Sequence, residues 1–371
     1  MSEFELGRLS RRDVLLTLSA LAMGTPRVRA QAPSAPIVAQ AMNHVTLTVT
    51  DPKRSLAFYQ RVFGLPVVAY QGPVPIVRIG SGPQFIALSG GPTATPRIDH
   101  LCLTVPNFDA DRIMKTLADL GVAPAPPPGG GGRGGAAGQG GVTPGTGQSA
   151  PPPAGGGGLS GGPLRARVRM RGENAGGARE GTPEIYFGDP DGIVIQLQDP
   201  RYCGGAGVLG EVCSAAPREV SAPIVAREMN HVTLFVSDPK RSLDFYQRVF
   251  GLPVVANQGA TPILRIGSGP SFIALAGGPT ATPRIDHVCL TVENFDVDRI
   301  VRTLGELGLK KADGPSAGPL TFRVRMRGPE AGGAKEGTPE IYFTDPDGLT
   351  IQLQDATYCG GAGVPGNVCK G

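Results

Sequence analysis

Histidine is scarce in this sequence, with four in 371 residues, so where each one stands is the first question to ask of it. Cysteine is also sparse. None of the six cysteines forms the short Cys-x2-Cys spacing typical of structural zinc sites. Long apolar runs are missing too: the most apolar N-terminal stretch, Val14 to Met23, falls well short of the about 20 residues needed to span a bilayer. Charge of one sign is not in excess, since 35 basic residues face 31 acidic ones, which argues against a nucleic-acid partner. What remains is a chain with 40% apolar residues, the composition of a soluble globular protein, and enough length for two domains that each bury a core.

The N-terminus, "LSRRDVLLTLSALAMGTPRVRAQA", pairs Arg11 and Arg12 with a moderately apolar run and a small-residue cleavage pattern at Ala30-Gln31-Ala32. Ser10, Arg11 and Arg12 resemble the start of a twin-arginine export signal; an ordinary secretory signal with incidental arginines is the alternative. The expectation is a signal peptide over residues 1–32, export through the twin-arginine machinery, and a periplasmic or extracellular protein with no stable membrane insertion afterwards. Losing that segment removes five arginines and three acids and leaves a net charge of +2. Cys203 and Cys213 bracket "GGAGVLGEV", and Cys359 and Cys369 bracket "GGAGVPGNV". In an oxidising compartment these pairs read as disulfides, with paired thiolate ligands the weaker alternative. Cys102 and Cys289 lie in apolar runs and read as buried thiols.

"MNHVTLTVTDPKRSLAFYQRVFGLPVV" from Met42 returns as "MNHVTLFVSDPKRSLDFYQRVFGLPVV" from Met229, and 60 of 72 positions match between residues 42–113 and 229–300. This is a tandem duplication. The first copy carries 31 additional residues in a Gly/Pro-rich tract over 124–163, which has almost nothing to bury and is expected to be a disordered surface loop. A fainter repeat lies inside each copy. The segment from His44 is echoed from His100, and that from His231 is echoed from His287. Each unit reads as a strand, a helix capped by an Asp such as Asp51 or Asp109 and carrying Leu56, Tyr59 and Phe63 at helical spacing, then three strands.

Side chains alternate between the faces of a strand. Val45, Leu47 and Val49 form an apolar face, which leaves His44, Thr46 and Thr48 on the other. In the same way Leu101, Leu103 and Val105 oppose His100, Cys102 and Thr104, while Ile195 and Leu197 oppose Gln196 and Gln198. The histidines and Gln196 therefore share the polar face of a sheet whose other face carries the helices.

With "NHVTLTVTDPKRSLAFYQRVFGLPVV" and "EIYFGDPDGIVIQLQD" as its most specific words, the sequence resembles the vicinal oxygen chelate superfamily over residues 42–200 and 229–355. That superfamily includes glyoxalase I, extradiol dioxygenases, fosfomycin resistance proteins, methylmalonyl-CoA epimerase and bleomycin-binding proteins. The resemblance implies an α+β fold of paired βαβββ modules forming a curved-sheet cup with helices outside, twice in tandem, and a divalent metal at each cup's base. Carried over, the metal ligands are His44, His100 and Gln196 in the first domain and His231, His287 and Gln352 in the second, so all four histidines stand at ligand positions.

Two departures from the family pattern matter. Gln196 and Gln352 stand where the family usually has glutamate, and a neutral oxygen donor binds a dication more weakly. Ala87 and Ala274 stand where four-ligand members have an oxygen ligand, so glyoxalase I and the epimerase fit poorly. The additional acid–base histidine of the ring-cleaving enzymes is also missing. Proton transfer would fall to Tyr186 and Tyr342 or to Glu184 and Glu340, which reach the same face along "EIYF", unless these are only solvated strand residues. Arg167, Arg169 and Arg171, with Arg323, Arg325 and Arg327, alternate onto the ligand face. They would favour an anionic substrate such as a carboxylate or phosphonate, unless they belong to a solvated edge strand. The turns "GDPDG" and "TDPDG" have too few oxygen ligands for calcium.

The expectation is a linker with one Cys loop over 201–228 and a second Cys loop over 356–371, with tandem domains that can pair within the chain. The expected function is a metal-dependent dioxygenase or lyase using iron, manganese or zinc on a small oxygenated substrate. The alternatives are a non-catalytic binding protein of the bleomycin-resistance type and a glyoxalase-like lyase or isomerase.

Overall fold

The computed structural model describes residues 35–126, 158–215, 222–314 and 318–370. The expected signal peptide and the centre of the Gly/Pro-rich insertion lie outside the described residues.

In the first repeat, β1 (Ala41–Val49) leads into α1 (Pro52–Phe63), followed by β2 (Val67–Gln71), β3 (Val74–Arg78) and β4 (Phe85–Gly90). The second module repeats the order with β5 (Arg97–Thr104), α2 (Ala110–Asp119), the short β6 (Ala123–Pro124), β7 (Arg165–Arg171), β8 (Thr182–Gly188) and β9 (Val194–Gln198). The second repeat gives β10 (Ala226–Val236), α3 (Pro239–Phe250), β11 (Val254–Gln258), β12 (Thr261–Arg265), β13 (Phe272–Gly277) and β14 (Arg284–Val292). It closes with α4 (Val297–Glu306), β15 (Lys310–Lys311), β16 (Thr321–Arg327), β17 (Thr338–Thr344) and β18 (Thr350–Gln354). No helix among the described residues is long and apolar enough to cross a membrane.

Local chemistry sets the helix ends. The Asp51 side chain accepts from the Lys53 and Arg54 amides, Pro52 opens the first turn, and Gly64 ends the helix at φ 64°. Phe58, Tyr59, Val62 and Phe63 form the buried stripe of α1, with Leu56 partly buried beside them.

The strands of the first repeat lie in the order β2-β3-β4-β1-β5-β9-β8-β7-β6. The pairs β1–β4 and β5–β9 are parallel, and β1–β5 is antiparallel at the centre. This is the paired βαβββ cup, and the second repeat builds the same order from β11 to β15. The β1–β5 register brings Thr46 opposite His100, and the β5–β9 register brings Cys102 opposite Gln196. All three expected ligands of each repeat thus stand on the central strands.

The apolar faces of both repeats join in one continuous core. Phe58 and Phe63 of α1 pack on Phe343 of β17 with ring centroids 6.1 and 5.9 Å apart, while Phe245 and Phe250 of α3 pack on Phe187 of β8 at 6.2 and 6.0 Å. The expectation of separate cores therefore gives way to a shared one, because each α1-type helix offers aromatic surface that the other repeat's sheet covers. Polar contacts follow the same exchange. Tyr59 donates to Asp345 at 3.1 Å and Tyr246 donates to Asp189 at 3.1 Å. Arg54 pairs with Asp347 and Arg241 with Asp191, so the two Asp-Pro-Asp-Gly turns clasp the start of the opposite repeat's helix.

Two sequence boundaries change. Residues 158–163, expected within the disordered insertion, are described and carry the buried Ser160. The segment expected as a linker begins as a folded loop: Tyr202 packs with Val68, Ile76, Phe85 and Ala87 on the cup face of the first repeat. Tyr358 does the same on Val255, Ile263, Phe272 and Ala274 of the second. Both Cys pairs are disulfides, Cys203–Cys213 and Cys359–Cys369, and Cys102 and Cys289 are buried free thiols.

Candidate metal centre

In each cup the two histidines and the glutamine meet. His44 Nε2 lies 3.0 Å from Gln196 Oε1, and the His44 and His100 rings are edge-on with centroids 5.5 Å apart. The second cup repeats this with His231 Nε2 at 3.1 Å from Gln352 Oε1 and a ring separation from His287 of 5.6 Å. All six residues are nearly inaccessible to solvent.

Hydrogen bonds fix the tautomers. The Asn43 amide nitrogen donates to the Tyr202 carbonyl at 2.8 Å, so its oxygen faces His44 Nδ1 at 2.7 Å and accepts that ring's proton. Asp99 accepts from His100 Nδ1 at 3.0 Å. Burial works to raise the Asp99 pKa, but its hydrogen bonds to His100 and Arg97 outweigh this and hold it at about 2, so it remains an acceptor. Asn230 and Asp286 do the same for His231 and His287, at 2.8 and 3.0 Å. Each ring therefore carries a proton on Nδ1, and in the neutral ring Nε2 presents a lone pair. Thr46 Oγ1 at 3.2 Å can donate to His100 Nε2, as Thr233 can to His287. Burial and the neighbouring His100 push the His44 pKa well below its usual value, and burial and His287 do so for His231. Both rings are neutral, the form that ligates metal.

The glutamine amides make the test of fit. His44 Nε2 has no proton for Gln196 Oε1, so two lone pairs face each other, while the buried Gln196 Nε2 has no hydrogen-bond partner. Turning the amide over gives its Nε2 to His44 Nε2 but leaves Oε1 as the buried atom without a partner. Gln352 is in the same position. A cation beside His44 Nε2 and Gln196 Oε1 satisfies both lone pairs, and two imidazoles with an amide oxygen suit iron, manganese or zinc. Ala87, opposite Thr46, and Ala274, opposite Thr233, add no donor. Among the described residues no group of three His, Cys, Asp or Glu side chains gathers.

The other expected residues divide. Tyr186 and Tyr342 stand edge-on to His100 and His287 with centroids 5.4 Å apart. Burial and the adjacent glutamate raise both phenols well above the usual tyrosine range, so they are proton-bearing donors at neutral pH. Glu184 and Glu340 reach the cup face, but they are neither solvated nor free as bases. Glu184 accepts from Arg171 Nε at 2.6 Å, Tyr202 at 2.9 Å and Tyr186 at 3.1 Å. Glu340 accepts from Arg327, Tyr358 and Tyr342 at 2.7, 2.9 and 3.0 Å. Arg171 and Arg327, expected in the anion pocket, are corrected by the same contacts: each is 1% exposed and turned away into its ion pair. Arg169 and Arg325 are about half exposed and approach the glutamates only at 3.8 and 3.5 Å. Arg323 lies over the Tyr342 ring at 4.3 Å, and its equivalent Arg167 is half-buried.

A cavity of about 480 Å³ opens in the second cup. Its walls include His231, His287, Gln352 and Tyr342, joining the expected ligands to the guanidinium groups of Arg284, Arg323 and Arg325 and the carboxylate of Asp286. Sequence reasoning missed Asn43, Asp99 and Tyr202 with their counterparts. The only signal available was that Asn-His, Asp-His and Tyr-Cys-Gly-Gly recur in both copies.

The comparisons with known proteins agree with this fold. The model of the "Glyoxalase/Bleomycin resistance protein/Dioxygenase superfamily" matches residues 41–143 and 228–353. Metallothiol transferase FosB of Lysinibacillus sphaericus (strain C3-41) is 25% identical over 140 residues, spanning 36% of this chain and 86% of that protein. Among solved structures, the Mn(II)-bound glyoxalase from Novosphingobium aromaticivorans aligns with TM-score 0.53 at 18% identity, covering 85% of this chain and 82% of that one. Homoprotocatechuate 2,3-dioxygenase from Arthrobacter globiformis aligns with TM-score 0.53 at 15% identity, covering 89% and 83%. These structural likenesses establish the fold. With two matched segments laid over two cups of the same topology, the chain belongs to the Glyoxalase/Bleomycin resistance protein/Dioxygenase superfamily.

Proposed function

We propose that this protein is an exported metal-dependent enzyme that takes a small, anionic, oxygenated substrate into a cup whose base holds one divalent ion. The first site is His44, His100 and Gln196, and the second is His231, His287 and Gln352. One observation carries this reading: in each cup two Nδ1-protonated histidines present Nε2 lone pairs beside a glutamine whose amide is left half unsatisfied. The metal relatives named above support the cofactor class, and the Arg11-Arg12 segment with two disulfides supports export.

Iron, manganese or zinc held there supplies Lewis-acid polarisation of two substrate oxygens or, as iron, reaction with dioxygen. The chain's own part is binding and orientation. Arg323 and Arg325 neutralise an anionic substrate end, while Tyr342 keeps its proton, donates its hydrogen bond to Glu340 at 3.0 Å and walls the cup beside His287. Glu340 is committed to Arg327, which removes the base expected at that position. That commitment favours, as the second reading, a ligand-binding protein of the bleomycin-resistance type.

Metal content of natively purified protein tests both. About two equivalents per chain, lost in a His44→Ala, His231→Ala variant, supports the site reading, and turnover of anionic diol or dicarbonyl substrates then separates enzyme from binder. A native protein that neither carries nor takes up metal overturns the enzyme reading.

A further inference from the structure

The disulfide-closed loops do more than fill the cups. In the first repeat the main-chain carbonyl of Tyr202 holds the Asn43 amide nitrogen at 2.8 Å, and this contact alone decides which end of the amide faces His44. Tyr202 is fixed on every side. Its hydroxyl donates to Glu184 at 2.9 Å and accepts from Gln71 at 2.9 Å, and its ring stacks on His44 with centroids 5.7 Å apart. Phe85 stacks on His44 at 4.2 Å and lies 5.9 Å from the Tyr202 ring, so the three rings pack together. The loop itself closes through the Cys203 amide to the Gly210 carbonyl at 3.0 Å and through the Cys203–Cys213 bond. Gly210, at φ 65°, lies so close that a Cβ there would meet the Tyr202 ring at 2.5 Å. The second repeat duplicates the chain of contacts from Tyr358 through Asn230, at 2.8 Å, to His231 Nδ1, at 2.8 Å.

We propose that these loops are positioning elements for the first histidine of each cup. The Tyr202 and Tyr358 carbonyls orient Asn43 and Asn230, the asparagine oxygens hold the imidazole proton on Nδ1, and Nε2 is thereby kept as a lone pair directed at Gln196 or Gln352. Without the asparagine oxygen, the proton moves to Nε2, where Gln196 Oε1 at 3.0 Å accepts it, and the ring loses its capacity to ligate there. The purpose of that lone pair rests on the metal reading, but its state can be measured without metal.

The test is nitrogen NMR of the full chain labelled with 15N-histidine and stripped of metal, a simple spectrum because the sequence has four histidines. His44 and His231 are expected to show protonated Nδ1 and unprotonated Nε2. Asn43→Leu should move His44 toward the Nε2-protonated form while His231 keeps its signals, the unaltered repeat serving as the folding control. Asn43→Asp, which keeps an acceptor oxygen, should restore the wild-type signature. Cobalt(II) affinity of the first cup should fall by about 10–100-fold in Asn43→Leu and recover in Asn43→Asp. Opening the loop with Cys203→Ser and Cys213→Ser should mix the His44 tautomers. Wild-type rings protonated on Nε2, or a His44 signature unmoved in Asn43→Leu or in the loop-opened variant, overturns the proposal. Tautomers that behave as expected in a chain that binds no cobalt uphold the positioning role and sink the metal reading instead.

Discussion

Arg327 and Glu340 show at the residue scale how a strand-face residue with apparent catalytic chemistry becomes structural. Their side chains are 0% and 1% exposed and lie 2.7 Å apart. Removing one partner strands a buried charge, which typically costs about 3–5 kcal/mol. Glu340→Gln should therefore lower unfolding stability by that order, read as a shifted urea midpoint, and a loss below about 1 kcal/mol would mean that Arg327 finds another partner. Arg323 belongs to a different class, since it borders the cavity and lies over Tyr342. Arg323→Ala should weaken binding of a carboxylate-bearing ligand by about 1.5–3 kcal/mol with metal content unchanged. Calorimetry with carboxylate probes checks this, and equal affinity in the variant would remove Arg323 from substrate recognition.

At the element scale, the ends of helix α1 are specified by short-range chemistry. The Asp51 cap accepts two backbone amides at 3.0 and 3.2 Å. Asp51→Ala should cost about 1 kcal/mol, with the same loss for Asp238→Ala at α3 because the cap geometry repeats. Thermal unfolding of the two single variants measures this, and unequal losses would show that the repeats are not energetically equivalent. The Cys loops are elements of the opposite kind. Few of their residues form regular structure, and their placement comes from Tyr202 and Tyr358 entering the cups.

At the scale of the whole molecule, the exchange of aromatic and acidic contacts between repeats has a pH consequence. Burial raises Asp189 to about 7 and Asp345 to about 6 from an ordinary 3.8, against the hydrogen bonds from backbone amides and from Tyr246 or Tyr59 that lower them. The native chain therefore holds more protons than the unfolded one between about pH 4 and 7. The contribution of these two acids is present in full below about pH 4 and is lost as pH rises through their folded values. In an Asp189→Asn, Asp345→Asn variant, stability relative to wild type should rise from pH 4.5 to 7.5. A constant difference across that range would show that the pair stays ionised throughout.

Much of this was legible in the sequence. Alternation along "NHVTL", "DHLCL" and "IQLQD" assigns His44, His100 and Gln196 to one face, because a strand gives each side chain only two directions and the apolar set takes the core. The duplication, the capped helices and the two disulfide pairs follow from equally local patterns. Tertiary structure alone decided the partners. Glu184 became the mate of Arg171, Asn43 was turned by a carbonyl 159 residues away, and the aromatic faces of α1 and α3 were covered by the opposite repeat. Periodicity fixes the face on which a side chain stands, but the group it meets there depends on how distant segments pack. For this reason the sequence named the candidate ligands, and only the folded chain showed which nitrogen of each faces its neighbours in the cup.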